Sequence, residues 1–330
     1  MKLSIIVVNF NGGKVLGTCF SSVFRETSDL LYEVILVDNN STDGSVEAVE
    51  QDFPAVRIIR NVENRGFAAA NNIAIREAAG EYILLLNPDT EILDGAIQKT
   101  VSFMDSKPEI GIAGCKLLYA DRTVQPSVRG YPSVLSAFLD ATFLHLLVPR
   151  NRIVRGKGVA RFDDSLAQEV DWVIGAYFMF RKNMADRIGL LDEQFWIFGE
   201  EIDYCRRAKN AGFDTWYFPG AAVVHFWGGM TAYNLRVIVW LHIGVKLYTD
   251  KHFRGTRRFV IMYLRYLGAA VRLVGYPVAA CLSWDKRLLT KAYYYGVALG
   301  TLLTHRVRYT PGNAGRVIPW TELVGRKAKG

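Results

Sequence analysis

The first ninety residues repeat one pattern: a short apolar run that ends on a polar corner, followed by a stretch with helical spacing. The runs are "LSIIVV", "EVILVD", "VRIIR" and "YILLLN", and a fifth, "IGIAG", begins at Ile110. Between them lie amphipathic or alanine-rich stretches such as "GSVEAVEQDF" and "GFAAANNIAIREAAG". Apolar runs without polar alternation are strands covered on both faces. Strand–helix–strand repetition implies right-handed crossovers, hence an α/β fold with a mostly parallel sheet flanked by helices. Ligands in such sheets sit at the carboxyl ends of the strands. There the chain places Asn9-Phe10-Asn11, Asp38-Asn39-Asn40-Ser41, Asn61 to Gly66 ("NVENRG") and Asn87-Pro88-Asp89.

The last corner is the most informative. Pro88 cannot continue a ladder, so Asp89 sits just beyond the strand end. A strand-ending turn accounts for Asn-Pro-Asp by itself. A carboxylate in that place can also hold a hard divalent cation that bridges two phosphates. The sequence contains neither GxGxxG nor a Walker phosphate loop, so the usual dinucleotide and triphosphate signatures are absent.

Charge divides the chain. Residues 234–330 carry 17 Lys+Arg and three acids, a balance of +14, whereas residues 1–233 carry 23 Lys+Arg and 29 acids, a balance of −6. We therefore expect an acidic body over 1–233 and a basic, helical region over 234–330 with an anionic partner. The four cysteines are scattered without paired-ligand spacing, which points to a reduced setting and no zinc site. "MKLSIIVVNFNGG" is too short in its apolar run for a signal peptide.

Seven stretches, "VVNFNG", "VDNNSTDGS", "NRGFAAANN", "LLLNPDT", "VDWVIGAYFMFRK", "FGEEIDYCRRAKNAGF" and "VVHFWGG", follow one another in this order. Together they resemble the inverting nucleotide-sugar transferases of glycosyltransferase family 2, which have the GT-A fold, and most of all the bacterial rhamnosyltransferase branch. The resemblance spans roughly residues 3–230. It implies that Asn9, Phe10 and Asn11 line a base pocket, that Asp38 accepts from a pyrimidine imide N–H, and that Asn40 and Ser41 stand beside it. It places Asn64, Gly66 and Asn71 along the donor phosphates and sugar. Asn87 and Asp89 occupy the metal-binding corner where other members carry Asp-x-Asp, and His225 matches a second ligand. The implied cofactor is Mg2+ or Mn2+.

"FGEEIDYCRRAKNAGF" reads as a helix from Glu200 to about Gly212. Acids in a first turn suit the helix dipole; one of them can also deprotonate an acceptor hydroxyl. The family has Glu-Asp there, with the Asp as base. This chain has Glu200-Glu201, so Glu201 is the expected base and Asp203 the second choice. No Ser-His or Cys-His arrangement suggests a protein nucleophile. Gln125 and Arg129 recur in rhamnosyltransferase relatives, and Arg129 is a candidate for a donor or acceptor phosphate. Trp172, Gly175 and Trp227 are candidates for the acceptor side.

In the tail, Arg258, Arg265 and Arg272 are spaced by seven and so share a stripe on a helix. Charges inside the run argue against a spanning helix. The expectation is an interfacial helix with its arginines on lipid phosphates and its tyrosines at headgroup level. A soluble helical subdomain is the alternative; nucleic acid is not expected, since no nucleic-acid motif accompanies the basic region. Acceptors in this branch are often sugars on polyprenyl diphosphate, which suits peripheral attachment at the cytoplasmic face of the plasma membrane. The expected reaction is therefore transfer of L-rhamnose from dTDP-β-L-rhamnose to a lipid-linked or polysaccharide acceptor. UDP-GlcNAc, UDP-galactose and GDP-mannose are alternative donors, and a non-catalytic sugar-nucleotide-binding scaffold is the contrasting class.

Overall fold

The computed structural model describes residues 1–147, 152–155, 158–226 and 236–304. The chain forms two compact units. One, the sheet unit, takes Met1–Gly130, Asp163–Asp192 and Glu201–Ala232; the other, the helical unit, takes Tyr131–Phe162, Glu193–Glu200 and Tyr233–Gly330.

The sheet unit opens with the alternation read from the sequence. Its elements are β1 (Leu3–Asn9), α1 (Lys14–Glu26), β2 (Tyr32–Asp38), α2 (Ser45–Asp52), β3 (Arg57–Arg60), α3 (Phe67–Glu77) and β4 (Tyr82–Leu86). β5 (Thr90–Leu93), α4 (Ala96–Asp105), β6 (Ile110–Leu118), β7 (Val124–Gln125) and β8 (Val128–Arg129) follow. The chain then contributes α5 (Val134–Ala141), a 3-10 turn at Leu144–Leu147 and the hairpin strands β9 (Arg152–Arg155) and β10 (Gly158–Arg161) to the helical unit. It returns as β11 (Gln168–Val170), β12 (Trp172–Val173), β13 (Tyr177–Arg181) and α6 (Lys182–Ile188). Helix α7 (Glu200–Asn210) and the long strand β14 (Asp214–His225) complete the unit.

The main sheet runs β11-β14-β6-β13-β4-β1-β2-β3, with β5 added on β14 and β7 on β6. β3, β2, β1 and β4 are parallel, in a register that sets Asn9 opposite Asp38 and Asp38 opposite Arg60. β13 enters antiparallel between β4 and β6, so the sheet is mixed. A run such as "YFMF", buried on both faces, carries no mark of strand direction, which is why the alternation alone did not give this reversal. Ile5, Val7, Leu36, Leu84 and Leu86 are all buried at the centre, each contributing about 2 kcal/mol. Gly80 is required where the turn into β4 crosses β1, because a Cβ there would stand 2.4 Å from the Ser4 amide nitrogen.

The amino ends of the strands are closed by a side-chain network. Arg181 donates from Nε to the Ile110 carbonyl at 2.8 Å and from Nη1 to the Tyr82 hydroxyl at 2.8 Å. Tyr82 in turn donates to Asp105, which also pairs with Lys2. The carboxyl ends remain the rim where ligand chemistry is possible.

The helical unit contains α8 (Arg236–His252), α9 (Gly255–Ser283) and α10 (Arg287–Thr304), with α9 packed on α5, α8 and α10. Its arginines correct the expected stripe on lipid phosphates. Arg272 is buried and donates to the Asp140 carbonyl at 2.9 Å and its carboxylate at 3.1 Å. Its guanidinium lies 4.4 Å from the centroid of the Phe143 ring. Desolvation holds Arg265 below the usual guanidinium range, with Asp140 opposing that shift. Arg258 pairs with Asp250, which also accepts from Lys246. A desolvated cation needs a partner, and in this helix the partners are inside the protein.

Candidate active site

Four side chains from three distant parts of the sequence meet beyond the end of β4. The ladder stops at Leu86; the Asn87 amide then donates to the Ala176 carbonyl at 3.0 Å and Thr90 Oγ1 to the Asn87 carbonyl at 2.7 Å. This turn sets Asp89 between β4 and β5. β14 pairs with β5 so that His225 lies opposite Thr90, and the Phe226 amide donates to the Asp89 carbonyl at 2.8 Å. His225 Nε2 is thereby 3.4 Å from Asp89 Oδ1 and 3.4 Å from Asn87 Nδ2. The other ring nitrogen, Nδ1, meets Gln125 Oε1 at 2.9 Å. Asp89, Gln125 and His225 are all buried.

The Gln125 contact fixes the imidazole. An amide oxygen accepts, so Nδ1 carries a proton, and in the neutral ring the Nε2 lone pair faces the Asp89 corner. A neutral imidazole nitrogen and a carboxylate oxygen on one point form a donor set for Mg2+ or Mn2+. Ligand atoms about 2.1 Å from a shared octahedral cation lie about 3 Å apart, so the spacing fits. Among the described residues no three His, Cys, Asp or Glu side chains cluster, and Asp89 with His225 is the pair that could hold a cation.

Next to this corner, the loops after β1 and β2 are bolted together. Asn9 is buried and donates from Nδ2 to the Ser41 and Ser45 hydroxyls, both at 3.0 Å. Asn11, at φ 55°, accepts from the Thr42 amide at 2.8 Å and donates its own amide to Ser41 Oγ at 3.0 Å. Asp38 accepts from the Ser41 amide through Oδ1 at 3.0 Å, and no bond among the described residues uses its second oxygen. Phe10 is exposed and Asn40, at φ 68°, points to solvent. Asn64 Oδ1 accepts from the Gly66 amide at 2.9 Å, and Gly66 adopts φ 81° at the start of α3. Asn71 differs from the expectation: it is buried and donates to the Phe67 carbonyl one turn back, so it serves α3.

Glu201 lies in the first turn of α7 and is only partly buried. It is near enough to Arg129 to favour the charged guanidinium, against the desolvation that lowers the Arg129 pKa. Arg129 is set by the β8–β12 ladder opposite Trp172. Asp203, the second choice for a base, is fully buried and accepts from Arg207 Nε at 2.8 Å. Arg207 also donates to the carbonyls of Ile188 and Leu190. Asp203 thus anchors α7, and the carboxylate placed toward solvent is Glu201. Glu200 is buried and begins α7 from the helical unit.

On the acceptor side, Trp172 is buried with Nε1 donating to the Gly130 carbonyl at 3.0 Å. A ring enclosed in this way cannot offer a face to a sugar, so Trp172 is corrected to a core residue. A Cβ on Gly175 would meet no atom within 4 Å, so open space adjoins that backbone. Trp227 lies outside the described residues. Sequence reasoning did not assign roles to two residues that organise the rim. Gln125 reaches His225 across 100 positions of sequence. Asn39 donates to the Gly66 carbonyl and accepts from Asn61 and from the Arg65 amide. Burial of a short polar residue at a strand end is the signal for both, and it appears only in three dimensions.

Comparisons with known proteins speak to the family and the fold. The family model for glycosyl transferase family 2 matches residues 4–189. The N-acetylglucosaminyl-diphospho-decaprenol L-rhamnosyltransferase of Mycobacterium tuberculosis is 28% identical over 234 residues, covering 68% of this chain and 75% of its own. Rhamnosyltransferase WbbL of Escherichia coli K12 is 27% identical over 172 residues, 49% of this chain and 61% of its own. In structure, the mannosyltransferase PcManGT from Pyrobaculum calidifontis, solved with GDP-Man and Mn2+, gives a TM-score of 0.56 at 16% identity over 92% of this chain and 88% of its own. At that identity the structural likeness speaks to the fold alone. The region matched by the family model contains the strand ends that carry Asn9, Asp38 and Asp89, and this chain belongs to glycosyltransferase family 2.

Proposed function

We propose that this glycosyltransferase transfers L-rhamnose, with inversion, from dTDP-β-L-rhamnose to a lipid-linked acceptor or a growing surface glycan. The choice of sugar and carrier is supported by the relatives: the mycobacterial and E. coli proteins are named as rhamnosyltransferases, and the mycobacterial name includes a decaprenol-linked N-acetylglucosamine. The observation that carries the chemistry is the buried Asp89–His225 pair, with Gln125 holding the imidazole so that a lone pair faces the carboxylate.

Mg2+ or Mn2+ bound at that pair would offset the negative charge that builds on the departing diphosphate. The residues of the chain do the rest. The second carboxylate oxygen of Asp38 accepts the imide N–H of the base, and the exposed Phe10 ring offers it a face. Backbone around Gly66 allows close approach of the donor. Glu201 takes the proton from the acceptor hydroxyl as the sugar is attacked on the face opposite its leaving group. Arg129 balances that carboxylate until the acceptor arrives. A single displacement turns a β-configured donor into an α-rhamnoside and needs no protein nucleophile.

The test is a thermal-shift screen of dTDP-, UDP- and GDP-sugars with Mn2+, followed by transfer and assignment of the anomeric configuration by NMR. dTDP-rhamnose should stabilise the protein most and give the α-product. Stronger stabilisation by a UDP- or GDP-sugar would replace the donor, and a β-product would rule out inversion.

A further inference from the structure

α9 presents an outer face opposite to the one its sequence suggested. Between Phe259 and Ser283 its only charged residues are Arg265 and Arg272, and the structure turns both toward the protein, against Asp140 and the Tyr295 ring. The outward stripe is Phe259, Tyr263, Leu267, Val271, Val274, Val278 and Leu282, all exposed, with Val274 at 68% and Leu282 at 81%. Steps of three and four place these residues on one face. At about 1.5 Å per residue the stripe runs roughly 35 Å. An apolar face of this length, uninterrupted by a charged side chain, is a docking surface.

We infer that this stripe is the surface by which the protein lies on an anionic lipid bilayer, α9 parallel to the membrane plane. Three observations select that occupant. First, exposed cations bracket the stripe: Arg254 and Arg257 before it, Lys286 and Arg287 after it. Trp284, at 90% exposure, follows its last turn, where an indole suits the headgroup boundary. Second, residues 236–304 carry 11 Lys+Arg against two acids. That +9 balance repels a second copy and attracts a negative surface. Third, the reverse side of α9 packs on α5 and α8, which carry the half-exposed Asp140 and the Lys246–Asp250 pair. A spanning orientation would place those charges in hydrocarbon; lying flat, only the stripe enters it. The inward arginines have a structural task, which leaves the outer face without charge.

This inference adds to the reading of a lipid-borne acceptor and stands on different residues, so its test leaves the sheet unit untouched. The full chain is floated with vesicles of phosphatidylethanolamine and phosphatidylglycerol, and with phosphatidylcholine alone. The wild type should float with the anionic vesicles. Val274→Glu with Val278→Glu, both solvent-exposed positions, should lower partitioning about tenfold or more, with unchanged helix content by circular dichroism and an unchanged thermal shift with nucleotide. Cys281 is the exposed thiol among four, the others being buried. An environment-sensitive dye on it should shift to the blue when anionic vesicles are added. The inference is overturned if the double variant floats like the wild type, or if the dye does not respond while the protein floats. It is equally overturned if the stripe variant instead abolishes a dimer seen by sedimentation and no vesicle binding is found. Failure of the donor reading would appear separately, as loss of the nucleotide response in a protein that still floats.

Discussion

The two units handle charge in opposite ways. In the sheet unit, Asp38 and Asp89 stand at strand ends beside an open rim, and Arg181 and Tyr82 close the other end. In the helical unit, Arg265 and Arg272 turn inward toward Asp140, the half-exposed Arg258 reaches the buried Asp250, and the outer stripe of α9 is apolar. The contrast follows from backbone chemistry. A strand that ends leaves its neighbours' polar groups facing water, so the rim of a parallel sheet gathers hydrogen-bonding side chains. A helix satisfies its backbone internally, so its outer face is free to carry any side chain, including a row of valines.

Glu201→Gln probes the reactive rim hardest. Transfer should fall by about 10^3 to 10^4, while the thermal shift with donor and Mn2+ stays at wild-type size; a variant that turns over near normally would move the base elsewhere. Asp89→Ala should cost about 10^2 to 10^3 in transfer, and donor binding should no longer respond to Mn2+ in isothermal titration. Full wild-type activity in excess EDTA would remove the metal from the reading. On the helical side, Arg272→Met should destabilise the unit by about 2 kcal/mol, because the remaining Asp140 is half exposed and can hydrate. Chemical denaturation would show it, with donor binding retained. An equal loss in both units would erase the contrast drawn above.

Gln125→Met is a finer probe. It should lower apparent Mn2+ affinity about 10- to 100-fold and shift the neutral His225 tautomer in long-range 1H–15N spectra of the metal-free protein. The smallest effect concerns pH. Burial holds His242 down to about 4, with Arg265 and Arg272 adding to the shift and Asp140 opposing it. Its ordinary value is 6.5, so between these pH values the unfolded chain binds a proton that the folded chain refuses. Stability must fall as pH drops through that window, by about 1 kcal/mol at pH 5 once water reaching the ring is allowed for. His242→Gln should flatten this dependence in melting curves.

The sequence and the structure agree where a residue's local neighbours decide its place. "LSIIVV", "EVILVD", "VRIIR" and "YILLLN" each became strands, and α7 begins at Glu200 as its acids and flanking glycine implied. Agreement ends where long-range partners decide. Nothing in "WVIGAYFMF" marks β13 as antiparallel, since its neighbours β4 and β6 are chosen by tertiary packing. Spacing along the chain leaves Asp203 open as a second choice beside Glu201. Only Arg207, reaching Asp203 one turn on and the carbonyls of Ile188 and Leu190, separates an anchor from a candidate base. Spacing alone placed Arg258, Arg265 and Arg272 on one stripe, but which way a stripe faces depends on the acids that await it, and Asp140 comes from α5.

Asn39 has a consequence for how a donor is received. Its amide ties the β2 corner to Gly66 while Asn61 and Arg65 bind back to its oxygen, and Asn9 does the same for Ser41 and Ser45. These bonds hold both loops through the protein's own side chains. The entropy of shaping the cradle is met during folding, so little affinity is lost to induced order. Calorimetry should find a heat-capacity change no larger than the buried faces of base and sugar explain, the mark of a mould already set.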